Sequence, residues 1–377
     1  MLKNTPITIR PAHVSDIKNL CNFFSEAYGP QTVFQNKEFL MHYFAAFNKS
    51  RPSFGMCVIG VNSVGGIVSH YGGLYYKLKM GQVTWPIIWG VNAYTLPEWR
   101  GKGLNTKIVS YILDNNEING VIGFTRETSL FYQKNGYNMF NFDRFSRFVS
   151  VLDYTKTAEI VALIGQSRDR FNKFTQSQGL FLADDQQSEI IRLTKENIRN
   201  YEFNIEAELA GIVTTHRTVD FLIWRFLENP GIDYHVYAVL ERGAVVAFIA
   251  LREETLAPTK YKVNRIIDLY GKKDAIRPLL GKAVRESISK KHIYIDFSMF
   301  GTIYQNELIS SKFFKLTGED SCLLPQVTAP IEKRENYEYL GIQSQSKAKA
   351  ISTLSIKNVY FTRMDSDRDR LANVSQM

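Results

Sequence analysis

Apolar residues recur along the first 150 or so positions with two different periods, and the switches between them outline a fold. Ile7-Thr8-Ile9-Arg10 alternates and predicts a strand. Pro11 to Ile17 opens a helix that runs through Leu20, Phe23 and Phe24, and Phe39 to Phe47 predicts a second. Met56–Val61 and Gly66–Gly72 predict two strands joined at Asn62-Ser63, and Leu74–Leu78 and Val83–Ile88 continue an antiparallel meander. The apolar run Pro86–Tyr94 leads into Thr95-Leu96-Pro97-Glu98-Trp99-Arg100-Gly101-Lys102-Gly103-Leu104-Asn105. A helix follows with Leu104, Ile108, Val109 and Ile112 on one face. Gly120–Phe124 predicts a short buried strand, and Ser129–Lys134 a helix stopped at Asn135-Gly136. Tyr137–Phe140 and Phe145–Leu152 predict closing strands.

From Tyr154 to Ser188 the pattern is polar and mixed, predicting exposed, partly helical linking structure. The opening order then returns. Ile190-Ile191-Arg192-Leu193 echoes the first strand, and Phe221–Phe226 predicts a helix. Tyr234–Leu240 and Ala244–Leu251 predict a hairpin about Glu241-Arg242-Gly243. Asn264–Tyr270 is a strand, Asp274–Ile288 a helix and Ile293–Phe297 another strand. The expectation is an α/β (α+β) chain of two similar units, each a mixed, mostly antiparallel twisted sheet flanked by helices. Residues 1–153 form the first unit, 154–188 a linker and 189–377 the second.

The stretch with the clearest chemistry is the turn at Thr95–Asn105. A strand, a tight glycine loop and a helix in succession direct several backbone N–H groups at one point, where the helix dipole adds partial positive charge. Arg100 and Lys102 add full charges, so the expected ligand is a phosphate or pyrophosphate. The loop is too short for a P-loop and lacks its Gly-Lys-Ser/Thr ending, and Thr106 breaks the dinucleotide pattern Gly-x-Gly-x-x-Gly. The second unit has Gly271-Lys272-Lys273-Asp274-Ala275 at the corresponding place and no such loop.

Composition narrows the classes. Lys plus Arg number 46 against 37 Asp plus Glu, a formal net charge of +9, which suits an anionic partner. The basic residues are scattered, which argues against nucleic acid and for a CoA- or nucleotide-linked ligand. The three cysteines, Cys21, Cys57 and Cys322, are far apart and indicate neither a disulfide framework nor a zinc site. Met1–Pro6 carries no signal core. The longest wholly apolar run, Ala244–Leu251, falls far short of the roughly 20 residues a membrane span needs. The expectation is a cytoplasmic protein. The acids Asp365, Asp367 and Asp369 alternate near the end without the glycine and distant glutamate of an EF-hand, and predict a solvated, self-paired tail.

Arg100-Gly101-x-Gly103-Leu104 resembles the pyrophosphate loop of the GNAT superfamily, the acyl-CoA-dependent N-acyltransferases, whose pattern is Arg/Gln-x-x-Gly-x-Gly/Ala. Asn105 departs at the last position. A second motif, Phe131-Tyr132-Gln133-Lys134-Asn135-Gly136-Tyr137, resembles the family's Phe-Tyr-x-Lys-x-Gly-Phe, and the element order over the first 150 or so residues is similar to the family fold. The resemblance implies acetyl-CoA or another acyl-CoA as donor, with its pantetheine along Val91–Thr95, including Ala93, Tyr94 and Thr95. The pyrophosphate is then held by Arg100, Gly101, Lys102, Gly103, Leu104 and Asn105. Tyr132 matches the tyrosine that faces the sulfur and protonates or hydrogen-bonds the leaving thiolate.

His70 is a candidate base, on the strand expected near the acceptor; Asn92 stands where some relatives carry an acid and cannot act as a base. Glu98 is a further option, and Trp224 and Arg225 are candidates for stacking on and pairing with a nucleotide or sugar diphosphate. The whole resembles tandem GNAT proteins with a degenerate second domain, as in bacterial surface-sugar pathways. That implies N-acylation of a small-molecule amine, with a nucleotide-linked amino sugar as preferred acceptor. A peptide, protein or aminoglycoside amine is the alternative acceptor. A non-catalytic acyl-CoA-binding protein is the alternative class, and no metal is implied.

Overall fold

The structure, a computed structural model, describes residues 6–44, 57–124, 126–140, 145–176, 188–328, 331–332, 339–365 and 369. β1 (Thr8–Pro11) leads into α1 (Ile17–Tyr28) and α2 (Lys37–Phe44). Both helices turn aromatic faces inward: Phe23 and Phe24 from α1 and Phe39, Tyr43 and Phe44 from α2 are buried. Residues 45–47 of the predicted second helix lie outside the described residues. β2 (Val58–Val61), β3 (Ile67–Met80) and β4 (Val83–Thr95) then form the meander.

Two strands were expected at 66–72 and 74–78, but β3 is one continuous strand of 14 residues. Gly72-Gly73 does not turn the chain. The ring of Phe44 lies where a Cβ of Gly72 would sit, 2.2 Å away, so the glycine there admits an aromatic ring.

β1, β2, β3 and β4 pair antiparallel in that order. α3 (Leu104–Asn115) crosses over, burying Leu104, Ile108, Val109 and Ile112, and returns the chain to β5 (Asn119–Phe124), which is parallel to β4. α4 (Arg126–Lys134), β6 (Asn138–Phe140) and β7 (Ser146–Val151) follow.

The second half repeats this order. Strands Glu189–Leu193, His235–Glu241, Ala244–Thr255 and Lys262–Gly271 pair antiparallel. Helix Lys273–Ser289 crosses to strand Tyr294–Phe300, which is parallel to Lys262–Gly271.

The halves exchange strands. β7 pairs with Tyr294–Phe300 and with Phe314–Leu316, while Tyr339–Gln343 comes back to pair with β5 and β6. Strand Val359–Thr362 lies beside both Val213–Thr215 and Tyr294–Phe300, and Val213–Thr215 in turn pairs with the far end of β3. The stretch after β7 is not simply exposed. α5 (Tyr154–Leu163) and α6 (Arg168–Thr175) are capped by the side chains of Asp153 and Ser167 and bury Thr157, Ile160, Val161 and Phe171. Positions 177–187 lie outside the described residues. No helix among the described residues is long and apolar enough to cross a membrane.

Charges fill the seam between the halves. Asp296 is fully buried and accepts a bidentate pair of bonds from Arg363 (2.7 and 2.9 Å) and another from Arg147 at 2.8 Å. Burial alone raises a carboxyl pKa, yet Arg363, Arg265 and Arg147 together hold Asp296 well below the usual carboxylate range.

Similar clasps join Arg217 to Asp268 (2.7 Å) and Arg225 to Asp369 (2.5 Å). The expectation of a solvated tail is therefore overturned at Asp365 and Asp369, which are buried against Thr215 and against Arg225 and Tyr234; Asp367 lies outside the described residues.

Asp296→Ala leaves three guanidinium groups facing an empty site. It is expected to cost about 3–5 kcal/mol in urea unfolding at neutral pH. The folded pKa of Asp296 is depressed, so its contribution is present above the unfolded carboxylate range and lost as pH falls through the folded value. The difference between wild type and variant should therefore shrink in acid.

Candidate active site

β4 and β5 pair only at Ile88–Asn119, Trp89–Gly120 and Gly90–Val121. Beyond that point they part. Ile122 and Phe124 of β5 pair on the far side with Leu340 and Tyr339, and among the described residues Val91–Thr95 of β4 keep only β3 as partner. A wedge results between two strand edges left open among the described residues, the β4 side roughly 17 Å long for five residues of strand. Its apex is closed by Tyr71, whose hydroxyl stands 1.8 Å from where a Cβ of Gly90 would lie.

A bulge marks the parting. Between the His70–Tyr94 and Gly72–Val91 pairs, Tyr71 alone faces both Asn92 and Ala93, and Asn92 takes a left-handed backbone with φ 52°. The bulge leaves Ala93 exposed and Tyr94 half-buried at the mouth.

The glycine loop closes the open end. Pro97–Trp99 makes one tight turn and buries Trp99. Gly101 (φ 75°) and Gly103 (φ 71°) are both left-handed, a conformation that strains other residues. No side chain caps α3, so among the described residues the first-turn N–H groups of Leu104, Asn105 and Thr106 are left for an anion.

Asn105, the departure from the family pattern, does not obstruct this cradle. Its Oδ1 accepts from the Thr95 hydroxyl at 2.7 Å, and Thr95 also bonds Ser69 at 2.7 Å, which ties helix to strand. Arg100 donates from Nε to the Thr95 carbonyl at 3.0 Å and lies 5.3 Å from the Tyr94 ring, while Lys102 stands 4.2 Å over Trp99. Ala93, Tyr94, Thr95 and Arg100 to Asn105 thus come together around one opening.

Tyr132 comes from α4 and is buried. Its ring lies 5.0 Å from Phe124, in the part of β5 that has left β4, and 5.0 Å from Tyr137. Tyr71, Tyr132 and Tyr137 belong to one buried cluster with the inner face of α3. Burial, reinforced by the neighbouring phenols Tyr132 and Tyr137, pushes the Tyr71 hydroxyl well above its ordinary pKa.

His70 is placed differently from the sequence expectation. Its ring is fully buried among Phe23, Phe24 and Phe44. Nδ1 donates to the Asn92 carbonyl at 3.0 Å, which makes Nε2 an acceptor for the Cys57 thiol at 2.9 Å. Burial pushes its pKa down to about 4, against the smaller upward pull of the Asn92 carbonyl. Both nitrogens are engaged inside the protein, and neither is left for an acceptor amine.

Trp224 and Arg225 also lie inward. Trp224 stacks on His42 at 5.5 Å, and Arg225 is taken by Asp369. Glu98 remains exposed beside the loop.

Sequence reasoning passed over Asn92 because an amide is no base. It is 4% exposed, and among the described residues neither Oδ1 nor Nδ2 has a hydrogen-bond partner. Leaving a buried polar group unmet costs about 1–3 kcal/mol. The Cys57–His70 contact had no signal in sequence, since Cys57 precedes β2 and His70 stands on β3.

The second half lacks both features. Its two parallel strands also part, after Ile266–Phe297, but the gap is filled. Strand Val359–Thr362 enters it, with the Tyr360 hydroxyl bonded to the Leu269 carbonyl and the Thr362 hydroxyl to Asp268. Tyr304 bonds both backbone groups of Gly271. The N-terminus of helix Lys273–Ser289 is met by the protein itself: Lys273 N–H donates to the Glu208 carboxylate at 2.9 Å. A separate cavity of about 710 Å³ in this half is bordered by polar side chains paired with one another, among them Glu286 with His235 (2.6 Å) and Glu253 with His292 (2.7 Å).

No protein-family profile matches the chain, and no curated protein matches it in sequence. Solved structures do match in shape. A GCN5-related N-acetyltransferase from Kribbella flavida superposes with a TM-score of 0.54 at 11% identity, over 92% of this chain and 73% of that one. A conserved protein of unknown function from Enterococcus faecalis V583, described as a probable N-acyltransferase, gives 0.56 at 11%, over 90% and 73%. The N-myristoyltransferase of Saccharomyces cerevisiae with bound myristoyl-CoA gives 0.55 at 10%, over 91% and 82%. The fold is that of the GCN5-related acyltransferases. At these identities the likeness concerns the fold, and the chemistry rests on the residues described above.

His70 makes the fold pH-dependent. Its folded pKa lies below the ~6.5 of an unfolded histidine, so the stability it contributes is complete above ~6.5 and is lost as pH falls towards about 4. Urea unfolding near pH 7.5 and near pH 5 should show a smaller loss over that interval for His70→Gln than for wild type.

Proposed function

We propose that the chain is an acyl-CoA-dependent N-acyltransferase whose single donor site is the β4–β5 wedge and its glycine loop. The observation that carries this reading is the contrast between the halves. Where the first half leaves a strand edge free and a helix N-terminus uncapped, the second fills the same two places with Val359–Thr362 and Glu208. In this reading residues 1–153 hold the donor, 154–188 link, and 189–377 act as a degenerate partner and platform.

The loop N–H groups and Arg100 and Lys102 take the pyrophosphate, and the free edge at Ala93, Tyr94 and Thr95 pairs with the pantetheine amides. The amine nitrogen attacks the thioester carbonyl carbon. The C–N bond forms, the C–S bond breaks, and nitrogen gives up a proton while the departing sulfur gains one. Tyr132, packed against the splayed end of β5, supplies or shares the proton at sulfur.

The preferred acceptor is a nucleotide-linked amino sugar. The net charge of +9 supports an anionic acceptor. So does the rim of the wedge, where Tyr28 and Tyr94 meet edge to face at 5.5 Å and Arg100 covers Tyr94, an aromatic and basic surface suited to a base and its diphosphate.

Calorimetry with CoA should give one binding event per chain. Gly101→Asp and Gly103→Asp each place a carboxylate on a left-handed backbone facing the pyrophosphate, and should weaken CoA by about 100-fold or more. Unchanged affinity in either variant, or two equal sites per chain, contradicts the reading. Release of CoA from acetyl-CoA, followed across nucleotide-linked amino sugars, polyamines and aminoglycosides, identifies the acceptor. Tyr132→Phe should slow the responsive reaction by about 100-fold while leaving CoA affinity unchanged.

A further inference from the structure

Three residues form one buried hydrogen-bonded line across the first sheet: Cys57 just before β2, and His70 and Asn92 on the neighbouring strands β3 and β4. Cys57 and His70 are fully buried and Asn92 nearly so. The thiol donates to Nε2, and Nδ1 donates to the Asn92 carbonyl. Both contacts bear on the one left-handed residue of β4, at the bulge where the strand leaves β5. Phe23, Phe24 and Phe44 pack around the imidazole and fix its plane.

A backbone held this firmly carries a side chain whose amide has no partner of its own among the described residues. Elsewhere the exceptional backbone of the site has an evident use, such as the two glycines of the loop. Here the bulge buries an amide whose donor and acceptor are both unmet among the described residues, one position before the exposed Ala93.

We infer that Asn92 contacts the substrate, with Nδ2 donating to the carbonyl oxygen of the donor's thioester, and that His70, backed by Cys57, is the positioning residue that holds it there. This rests on the acyl-CoA reading above. A donor at that oxygen favours the tetrahedral intermediate, where the oxygen becomes an anion, over the ground state. Asn92 Oδ1 then faces the incoming amine as an acceptor. His70 takes no proton in this scheme; its work is done through the Asn92 carbonyl.

The test compares acetyl-CoA with CoA, which differ only in the acyl group, by calorimetry on the full chain. Asn92→Gly keeps the left-handed backbone and removes the amide. It should weaken acetyl-CoA by about threefold to tenfold and leave CoA unchanged. An equal effect on both ligands, or on neither, overturns the contact. Failure of the wild type to bind CoA is a different result: it overturns the acyl-CoA reading, and this inference with it.

His70→Leu should show the same selective loss, and the double variant His70→Leu/Asn92→Gly no more than Asn92→Gly alone. His70→Gln, which keeps an N–H within reach of the Asn92 carbonyl, should recover acetyl-CoA binding. Additive losses, or a His70→Leu protein that binds acetyl-CoA like wild type, overturn the positioning role.

Discussion

Strand pairing satisfies backbone groups, and a sheet interior gives them up only where something else replaces the lost partner. β4 and β5 stop pairing at Gly90–Val121; beyond that point β5 keeps Tyr339–Gln343 on its far edge and β4 keeps β3, and among the described residues nothing pairs with the two edges that face each other. That opening decides what the first half can do. The bulge at Asn92 turns the strand away, the free edge of Val91–Thr95 faces the opening, and the loop at Arg100–Asn105 places uncapped N–H groups at its end. An elongated ligand with amides along its length and a charged phosphate at one end matches that sequence of features.

The second half shows the same constraint met internally. Its strands also part, and the vacancy is taken by Val359–Thr362, while Glu208 supplies the anion that the helix N-terminus favours. The strand that fills the gap reaches it by lying along Val213–Thr215, which is joined to β3. Filling one wedge therefore also binds the halves together. The buried pairs around Asp296, Asp268 and Asp369 fix the same C-terminal segment from several sides. Such pairs cost much to desolvate, so their value lies more in specifying one arrangement than in net stability.

Much of this was legible in sequence where local pattern and local chemistry agree. The apolar face of α3 was found by its spacing, the tight glycine loop by its glycines between strand and helix, and the tyrosine of α4 by the resemblance of its motif. Gly72-Gly73 misled, because a glycine pair reads as a break when the reason for it, the ring of Phe44, lies far away in the chain. Strand exchange by β7 and Tyr339–Gln343 was out of reach for the same reason: which edge a strand joins depends on distant partners. His70 shows the limit for single residues. A histidine on a strand near a site invites a role as base, and only the surrounding rings and the Asn92 carbonyl reveal an inward-facing, neutral imidazole. The acids at Asp365 and Asp369 looked solvated because their arginines, Arg217 and Arg225, stand about 145 positions earlier.

The central claim, that the free edge of β4 and the glycine loop together form the donor site, is tested most directly by hydrogen exchange with and without CoA. The account predicts slowed exchange confined to the amides of Val91–Thr95 and of Gly101–Thr106, with the corresponding amides of Ile267–Ala275 in the second half unchanged. Protection in the second half instead, or CoA binding that leaves both first-half segments exchanging as before, would contradict it.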